Sequence, residues 1–230
     1  MKHIAFQFFL LFLTGPHIIA QTYKIDTTEI SFENKLRPCF NVKYDADART
    51  VKKAWSDFLK NNYKIKTKGV SLFSDKDIVS GEDVTIGSIS DKRMNIYASV
   101  TDIAGGSEMK YFMSFGYDFF IGPDNYPAEF TNMKNLLNDF SMKFLNDYYK
   151  SEASRITKNI RGLEKDIKSK KKAISKNDKK ASKESAAVAS GLEARNKSLE
   201  MEIKELERQI ENYAGQLEVI KVKQSGITRS

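Results

Sequence analysis

Few side chains in this 230-residue sequence are of the types that perform catalysis. Its two histidines, His3 and His17, lie within the first 20 residues, and Cys39 is its single cysteine. Histidine is the usual general base near neutral pH, the partner that activates serine and cysteine nucleophiles, and a frequent zinc ligand. If the first 20 residues are cleaved off, histidine-dependent triads and histidine metal sites are excluded. The sequence therefore predicts a non-enzymatic protein without a cofactor or a catalytic metal.

The remaining reactive groups have simpler explanations. Cys39 has no partner for a disulfide within the chain, and its place at the start of a strand pattern predicts a small buried hydrophobe. Asp45 and Asp47 precede a helical pattern, where helix capping is favoured over a metal or acid-base pair. Residues 75–77 begin an acidic loop, but the residues that follow lack the oxygen ligand and the glycine that a calcium loop requires. An enzyme built on carboxylate, tyrosine or lysine chemistry is the remaining catalytic alternative.

The formal net charge of +8 arises from one segment of the chain. Residues 22–150 contain 18 basic and 18 acidic side chains, residues 155–183 contain 12 and 3, and residues 184–222 contain 5 and 8. Because the basic segment has no aromatic residue for base stacking, and because export would separate it from nucleic acid, we expect no nucleic-acid partner. An anionic phospholipid or polysaccharide surface is the alternative ligand. The lysines expected to contact such a surface are Lys168, Lys170, Lys171, Lys172, Lys176, Lys179, Lys180 and Lys183.

Residues 1–20 have the pattern of a secretory signal peptide. Lys2 provides the basic end, residues 4–13 form an apolar stretch, and the small Ala20 occupies the cleavage position. The alternative is a membrane anchor, but this apolar stretch is far shorter than the ~20 residues that a spanning helix needs. We therefore expect export to the periplasm or the cell envelope, with Gln21 as the first residue of the mature protein.

Residues 151–224 contain apolar residues at alternating three- and four-residue spacing, the pattern of the a and d positions of a coiled coil. Two runs of these seam residues flank residues 175–185, which contain no large apolar side chain. The first run is Ile156, Ile160, Leu163, Ile167 and Ile174. The second run is Val188, Leu192, Leu199, Ile203, Leu206, Ile210, Tyr213, Leu217 and Ile220.

A reversal of the chain at residues 175–180, centred on Asn177-Asp178, would join the two runs as a coiled-coil helical hairpin. It would also set the basic segment, residues 155–183, against the acidic segment, residues 184–222. The expected pairs are Ile167 with Val188, Leu163 with Leu192, Ile156 with Leu199, Tyr149 with Leu206, and Leu145 with Ile210. One continuous helix that dimerises or trimerises is the alternative, because no glycine or proline enforces the turn. The hairpin favours a monomer and the continuous helix favours a homodimer or homotrimer, and in all these cases Asn196 on the seam helps to set the register.

Residues 21–150 alternate between strand and helix patterns and predict an α+β domain. Trp55 is expected to anchor the first helix, residues 48–59, on a sheet. A closing helix begins near Pro127 and meets no interruption before the coiled coil, and residues 225–230 follow as a tail. The predicted strands lie at residues 25–32, 38–44, 63–67, 70–73, 84–89, 93–102 and 108–120.

The last two predicted strands are joined by a hairpin turn at residues 103–107. One face of the final strand is formed by large side chains, for which covering helices are a better explanation than a ligand groove. These side chains are Met109, Tyr111, Met113, Phe115, Tyr117 and Phe119. The order of strand, helix, several antiparallel strands and helix looks like a ferredoxin-like or TBP-like sheet with helices on one face, a fold that hosts many functions.

Two short segments, Ile89-Ser90-Asp91-Lys92 and Phe115-Gly116-Tyr117-Asp118-Phe119-Phe120, accompany the lysine-rich short strands. This run, residues 45–149, resembles uncharacterised exported proteins of Bacteroidota. The resemblance covers under half of the chain, implies a periplasmic or cell-envelope location, and carries no activity or functional residue. Together with the coiled coil it favours an interaction or structural protein of the envelope that contacts a protein partner.

We predict that the protein isolated from its native host begins at Gln21. Intact mass and N-terminal sequencing measure this directly. A mass that includes His3 and His17 would contradict the cleavage and would restore the histidine chemistry excluded above.

Overall fold

The structure, a computed structural model, describes residues 22–69 and 78–230. The predicted signal peptide, the strand predicted at residues 70–73 and the acidic residues 75–77 lie outside the described residues. Within the described ranges the chain is α+β, with a five-stranded antiparallel sheet and three helices. The strands are β1 (Ile25–Phe32), β2 (Lys35–Tyr44), β3 (Ile78–Ile86), β4 (Ser90–Ile103) and β5 (Gly106–Ser114). The helices are α1 (Ala48–Tyr63), α2 (Pro127–Ala181) and α3 (Ala186–Ser225).

The strands lie in the order β1-β2-β5-β4-β3, and each neighbouring pair is antiparallel. Tight hairpins join β1 to β2 and β4 to β5. In the first, Glu33 and Asn34 both adopt left-handed backbone angles, with φ of 53° and 60°. In the second, the turn Ala104-Gly105 places Gly105 at a φ of 82°, so the hairpin turn predicted at residues 103–107 is confirmed.

Helices α1 and α2 cover one face of the sheet. Trp55 of α1 has no exposed surface and packs edge-on against Tyr111 of β5 and Phe140 of α2, with ring centroids 5.3 and 4.9 Å away. Met109 and Met113 flank Tyr111 on the same face and are fully buried. The anchoring role of Trp55 is confirmed, because its indole ring contacts both the sheet and α2. The prediction that helices cover this strand face is confirmed for Met109, Tyr111 and Met113.

Helix α1 begins where side chains satisfy its first amides. The carboxylate of Asp47 accepts a hydrogen bond from the Thr50 amide at 2.9 Å, and that of Asp102 accepts one from the Ala48 amide at 2.7 Å. These bonds pair two of the four amides that a helix start leaves open. The predicted capping role is confirmed for Asp47, whereas Asp45 makes a different contact that is described below.

The strand predicted at residues 63–67 is wrong. Helix α1 runs on to Tyr63, the first residue of this segment, and Lys64 caps it with a φ of 62°. The segment is then extended, with Ile65 buried against the core, and Lys68 forms an isolated bridge to Ser80. The apolar alternation thus reflects a helix end followed by one buried side chain.

The strand predicted at residues 84–89 overlaps the observed strand β3 only at residues 84–86, because β3 begins at Ile78 and ends at Ile86. Its pairing with β4 shifts register between Gly81 and Val84, and Asp83 in this interval has a φ of 55°. A register shift disturbs the alternation of buried and exposed side chains. Because the alternation is disturbed, the sequence pattern did not predict the first half of β3 as a strand.

The final predicted strand, residues 108–120, is too long. Strand β5 ends at Ser114, and the chain turns at Gly116 and Tyr117, whose φ angles are 97° and 46°. The predicted row of six large side chains therefore breaks at this turn. Tyr117 and Phe119 are 95% and 61% exposed instead of facing the helices.

Helix α2 belongs to two parts of the molecule. It has Pro127 in its first turn, as predicted, and continues without a break for 55 residues. Up to Tyr149 its buried residues belong to the core shared with the sheet, whereas farther on its buried residues, Ile156 and Ile167, face α3. The part beyond Tyr149 is about 48 Å long at ~1.5 Å per residue. The prediction that one helix runs from the domain into the seam is confirmed.

Helices α2 and α3 form an antiparallel pair, but the predicted reversal at residues 175–180 is wrong. Helix α2 continues through this segment, and the turn occupies residues 182–185. Asn196 of α3, which is buried, accepts a hydrogen bond from the Asn177 amide group at 2.8 Å and donates one to Asp178 at 2.6 Å. The polar segment remains helical because its side chains find partners on the opposing helix.

The later turn changes the partner of every seam residue. The ion pair of Lys170 with Glu202 and the bond of Asn177 with Asn196 define the alignment of the two helices. The five predicted pairs are wrong by about four helical turns. On this alignment the α3 seam residues that lie within about one helical turn of their α2 counterparts are Ile203 for Ile167, Leu206 for Leu163, Ile210 for Ile160, Tyr213 for Ile156 and Ile220 for Tyr149.

The seam residues themselves were correctly identified, with one exception. All except Val188 are buried or half-buried between the helices, and Ile156, Ile167 and Ile203 are the most deeply buried apolar members. Val188 is 42% exposed because it lies level with the turn, where α2 has already ended.

We predict that Ile167→Cys with Ile203→Cys, in a Cys39→Ser background, forms a disulfide within the chain under mild oxidation. Both side chains are buried between α2 and α3 and lie within about one helical turn of each other, and a disulfide between them requires a Cα separation of at most roughly 7 Å. A non-reducing gel and intact mass measure the product.

The matched variant, Leu163→Cys with Leu192→Cys, should stay reduced, since its positions lie about 21 Å apart along the helix axis. Crosslinks formed only between chains, together with a dimer in light scattering, would contradict the helix pair and favour a continuous helix.

Candidate contact surfaces of the helix pair

The eight lysines predicted to contact an anionic surface all lie on the outer part of α2 or in the turn at its end. Two of them are engaged by α3, since Lys170 binds the carboxylate of Glu202 and the Lys171 ammonium lies 3.6 Å from Glu207. The other six are exposed, and none forms an ion pair with a residue that the structure describes. These six are Lys168, Lys172, Lys176, Lys179, Lys180 and Lys183.

Most of these free lysines belong to a longer row of cations on α2. Seven basic residues follow one another at three- and four-residue spacing and therefore share one face of the helix. All seven are exposed, and within the described chain none has an ion-pair partner. This row, the basic stripe, consists of Lys158, Arg161, Lys165, Lys168, Lys172, Lys176 and Lys179.

The basic stripe lies on the side of α2 that faces away from α3. Lys165 and the buried Ile167 are two residues apart and thus point to opposite sides of the helix, about 200° apart. Asp166 and Asp178 are each one residue from a stripe cation, about 100° around the helix, whereas Glu164 lies at the edge of the stripe, three residues after Arg161 and four before Lys168. The result is an uninterrupted line of positive charge about 32 Å long.

Sequence reasoning missed part of this surface. The density of lysine pointed to the end of α2 and included Lys170 and Lys171, which α3 engages. The regular spacing of cations was the better signal, because it would have added Lys158, Arg161 and Lys165. The alignment of α3 against α2 decides which lysines have an ion-pair partner, and the predicted alignment was wrong.

Asp45, just after β2, joins the base of the helix pair to the sheet. Its carboxylate accepts a hydrogen bond from the Tyr149 hydroxyl of α2 at 2.7 Å and pairs with the Lys223 ammonium of α3 at 2.7 Å. Partial burial raises the pKa of Asp45, but these two bonds stabilise the carboxylate and lower its pKa overall. Burial first, and the contact with Asp45 second, raise the pKa of Tyr149 above its ordinary value.

The predicted tail, residues 225–230, packs against the domain. The buried Asn138 side chain in α2 accepts a hydrogen bond from the Ser230 amide at 2.9 Å and donates one to the Ser230 carbonyl at 3.0 Å. Its side-chain oxygen also accepts one from the Tyr23 hydroxyl at 3.0 Å. The end of α3 is therefore fastened to α2 and to the start of the sheet, through an asparagine that has no distinguishing sequence pattern.

The sheet face opposite α1 and α2 carries a smaller apolar cluster, which includes the buried Cys39, Phe112 and Phe120. Arg37 lies over the ring of Phe120, 4.1 Å from its centroid, and binds Asp118 at 2.6 Å. These contacts hold the turn after β5 against the sheet. Cys39 has no exposed surface, so the expectation of a buried cysteine is confirmed, and burial raises the pKa of its thiol to about 11.

A cleft of about 410 Å³ lies between α1 and α2. Phe58, Phe140 and Phe144 provide its apolar surface, and its charged residues include Lys143 and Asp147, which pair with each other along α2. A ligand site normally adds polar groups that converge on one point. The lining residues of this cleft do not converge in this way, so the basic stripe is the stronger candidate.

Among the described residues, no group of three or more His, Cys, Asp and Glu side chains is placed to hold a metal ion. In residues 22–69 and 78–230, no helix combines the length and hydropathy needed to cross a membrane. Comparison of the chain with protein-family models, curated proteins and solved structures found no match. Function is therefore inferred from the arrangement of the helix pair and its charges.

We predict that Asp45→Asn lowers the free energy of unfolding near neutral pH by under about 1 kcal/mol, the usual contribution of an exposed ion pair. Because the folded state lowers the pKa of Asp45 below its ordinary value of 3.8, this contribution is present above that value and is lost as the pH falls through the folded pKa. Urea unfolding near neutral pH and near pH 3 should thus show a difference between wild type and variant that shrinks at low pH.

Asp57→Asn is the matched control, since Asp57 pairs with Lys53 within α1. Hydrogen exchange of residues 226–230 should be faster in Asp45→Asn and unchanged in Asp57→Asn. Equal effects of the two substitutions on the exchange of the tail would contradict the joining role of Asp45.

Proposed function

We propose that this protein is a non-enzymatic, exported cell-envelope protein that contacts a protein partner through its helix pair, with the α+β domain as the base. The observation that carries the proposal is the continuity of α2. One 55-residue helix is packed into the domain core at one end and paired with α3 at the other. Such an arrangement holds a contact surface at a fixed distance and direction from the domain. A monomer is the favoured state, with a homodimer as the alternative.

The helix pair is proposed to be a coiled-coil helical hairpin. The heptad spacing of its seam, the burial of seam residues such as Ile167 and Ile203, and the polar contact at Asn196 support this. Because the apolar seam is used within the chain, a partner meets the outward faces, which are polar and charged. Recognition then relies on charge and hydrogen bonds, which favour specificity and fast association over large apolar burial.

The location and the finer fold class are part of the proposal. Export rests on the pattern of residues 1–20, and the envelope location rests on the resemblance to exported proteins of Bacteroidota. Among the described residues two strands precede α1 and three follow it, an order that differs from the β-α-β-β-α-β order of a ferredoxin-like domain. The likeness to a ferredoxin-like or TBP-like sheet with helices on one face remains a proposal.

A second candidate function is the binding of an anionic envelope surface, phospholipid or polysaccharide, through the lysine-rich arm. The six lysines without an ion-pair partner among the described residues favour it, since their charges are available to a ligand. The simpler explanation of these charges is a solvated helix face. The alignment of four of these lysines on one face of α2 favours a binding surface.

We predict that the outer part of the helix pair is required for partner binding. The test uses a variant in which a short Gly-Ser loop replaces residues 171–201. This variant keeps the buried residues Ile167 and Ile203 and the ion pair of Asp45 with Lys223. The domain and the base of the helix pair should stay folded for this reason. A pull-down from envelope extract, followed by mass spectrometry, should recover the partner with the mature protein and lose it with the shortened variant.

The matched comparison is a full-length protein with Tyr117→Ser and Phe119→Ser, which removes the exposed aromatic residues of the domain. This protein should keep the partner. Retention by the shortened variant and loss by the Tyr117/Phe119 variant would move the contact to the domain and would contradict the proposal.

A further inference from the structure

We propose that the basic stripe of α2 is a binding site for a linear acidic polysaccharide that carries about one negative charge per sugar unit. The inference rests on the proposed envelope function and gives its second candidate a defined site and ligand class. It depends on three features of the stripe: the spacing of its charges, the position of the apolar residues, and the availability of the cations.

The spacing of the stripe matches a linear polymer. Successive cations are three or four residues apart, about 5 Å along the helix axis at ~1.5 Å per residue. This distance is similar to the length of one pyranose unit in an extended chain. Because all seven cations share one face of one helix, they form a line and not a rounded patch. A line of charge can meet a polyanion along its whole length, whereas a single phosphate can meet only one or two of the cations.

The position of the apolar residues argues against a bilayer as the ligand. A helix that lies in a membrane surface presents apolar side chains beside its basic face, so that they enter the lipid. In α2 the apolar residues, such as Ile160 and Ile167, lie on the other side of the helix and are covered by α3. A bilayer would meet the cations alone, without the apolar burial that normally supports attachment. The polymer is therefore favoured over the membrane.

The cations of the stripe are available, and the helix that carries them is already formed. Helix α3 uses Lys170 and Lys171, which lie beside the stripe, and leaves the stripe cations without ion pairs among the described residues. The pairing of α2 with α3 keeps the backbone of the stripe helical before any ligand arrives. Binding then avoids the cost of ordering the backbone, which is the advantage of a preorganised site.

The test compares two variants of the full mature chain that change net charge equally. The stripe variant carries Lys165→Gln, Lys168→Gln, Lys172→Gln and Lys176→Gln. The control variant carries the same change at four exposed lysines outside the stripe, Lys43, Lys60, Lys66 and Lys204. Glutamine has nearly the helix propensity of lysine, so circular dichroism should show both variants folded.

The probes are immobilised polygalacturonate, its fully methyl-esterified form, and vesicles of phosphatidylglycerol with phosphatidylcholine. Wild type should bind polygalacturonate in a salt-sensitive manner and should not bind the esterified polymer. The stripe variant should bind roughly tenfold more weakly or worse, and the control variant should stay within about twofold of wild type. Oligogalacturonates of about seven units, which span the stripe at about 5 Å per cation, should compete far better than the disaccharide.

Equal weakening of both variants would overturn the stripe as the site, because net charge alone would explain the binding. Binding to the vesicles but not to polygalacturonate would overturn the ligand class, as would equal binding of the esterified polymer. None of these outcomes decides the pull-down with the shortened helix pair, so failure of the polysaccharide site and failure of the proposed function are distinguishable.

Discussion

The structure depends on one constraint, namely that α2 changes packing partner without losing its helical backbone. Near Phe140 its buried face meets Trp55 and the sheet, and beyond Tyr149 the buried side meets α3. An amphipathic helix needs only an apolar residue on one side in each turn, whatever element covers that side. The direction of the helix pair is therefore decided by the core of the domain.

The return of α3 closes this arrangement at its base. Because α3 runs antiparallel to α2, it must end beside the domain from which α2 extends. At this end Lys223 pairs with Asp45, and Asn138 forms hydrogen bonds with the backbone of Ser230. The exposed ion pair of Lys223 with Asp45 contributes little free energy, on the order of 1 kcal/mol or less. Together with the hydrogen bonds of Asn138, this ion pair attaches the end of α3 to α2 and to the segment after β2, so that both helices are fixed to the domain.

Polar and charged residues divide their roles according to the side of α2 on which they lie. Those that face α3 set the alignment: Asn196 bonds with Asn177 and Asp178, and Lys170 pairs with Glu202. A polar residue on a coiled-coil seam commonly selects one register at some cost in stability. The cations on the opposite side have no such role within the described chain, and this separation is what makes the basic stripe a candidate surface for a ligand.

Features that depend on residues close together in the chain could be predicted from the sequence, whereas features that depend on residues far apart could not. The seam residues, the cap at Asp47 and the turn at Gly105 were predicted because helical periodicity, capping and hairpin turns depend on residues close together in the chain. The strand end at Ser114 was missed because the apolar alternation continues into the turn that follows it. The free and engaged lysines could not be separated, since that depends on which residue of α3 lies opposite.

The sequence by itself determined that this chain has an apolar seam in its last third, an aromatic anchor at Trp55 and a strongly basic segment. Only the tertiary structure decided where α2 turns back, that Asp45 and Asn138 fasten the end of α3, and that seven cations form one outward line. The physical reason is that periodicity assigns a residue to a face of its own helix, whereas alignment between helices is selected by contacts between residues far apart in the chain. At Asn177 and Asp178 those contacts outweighed the local preference for a turn.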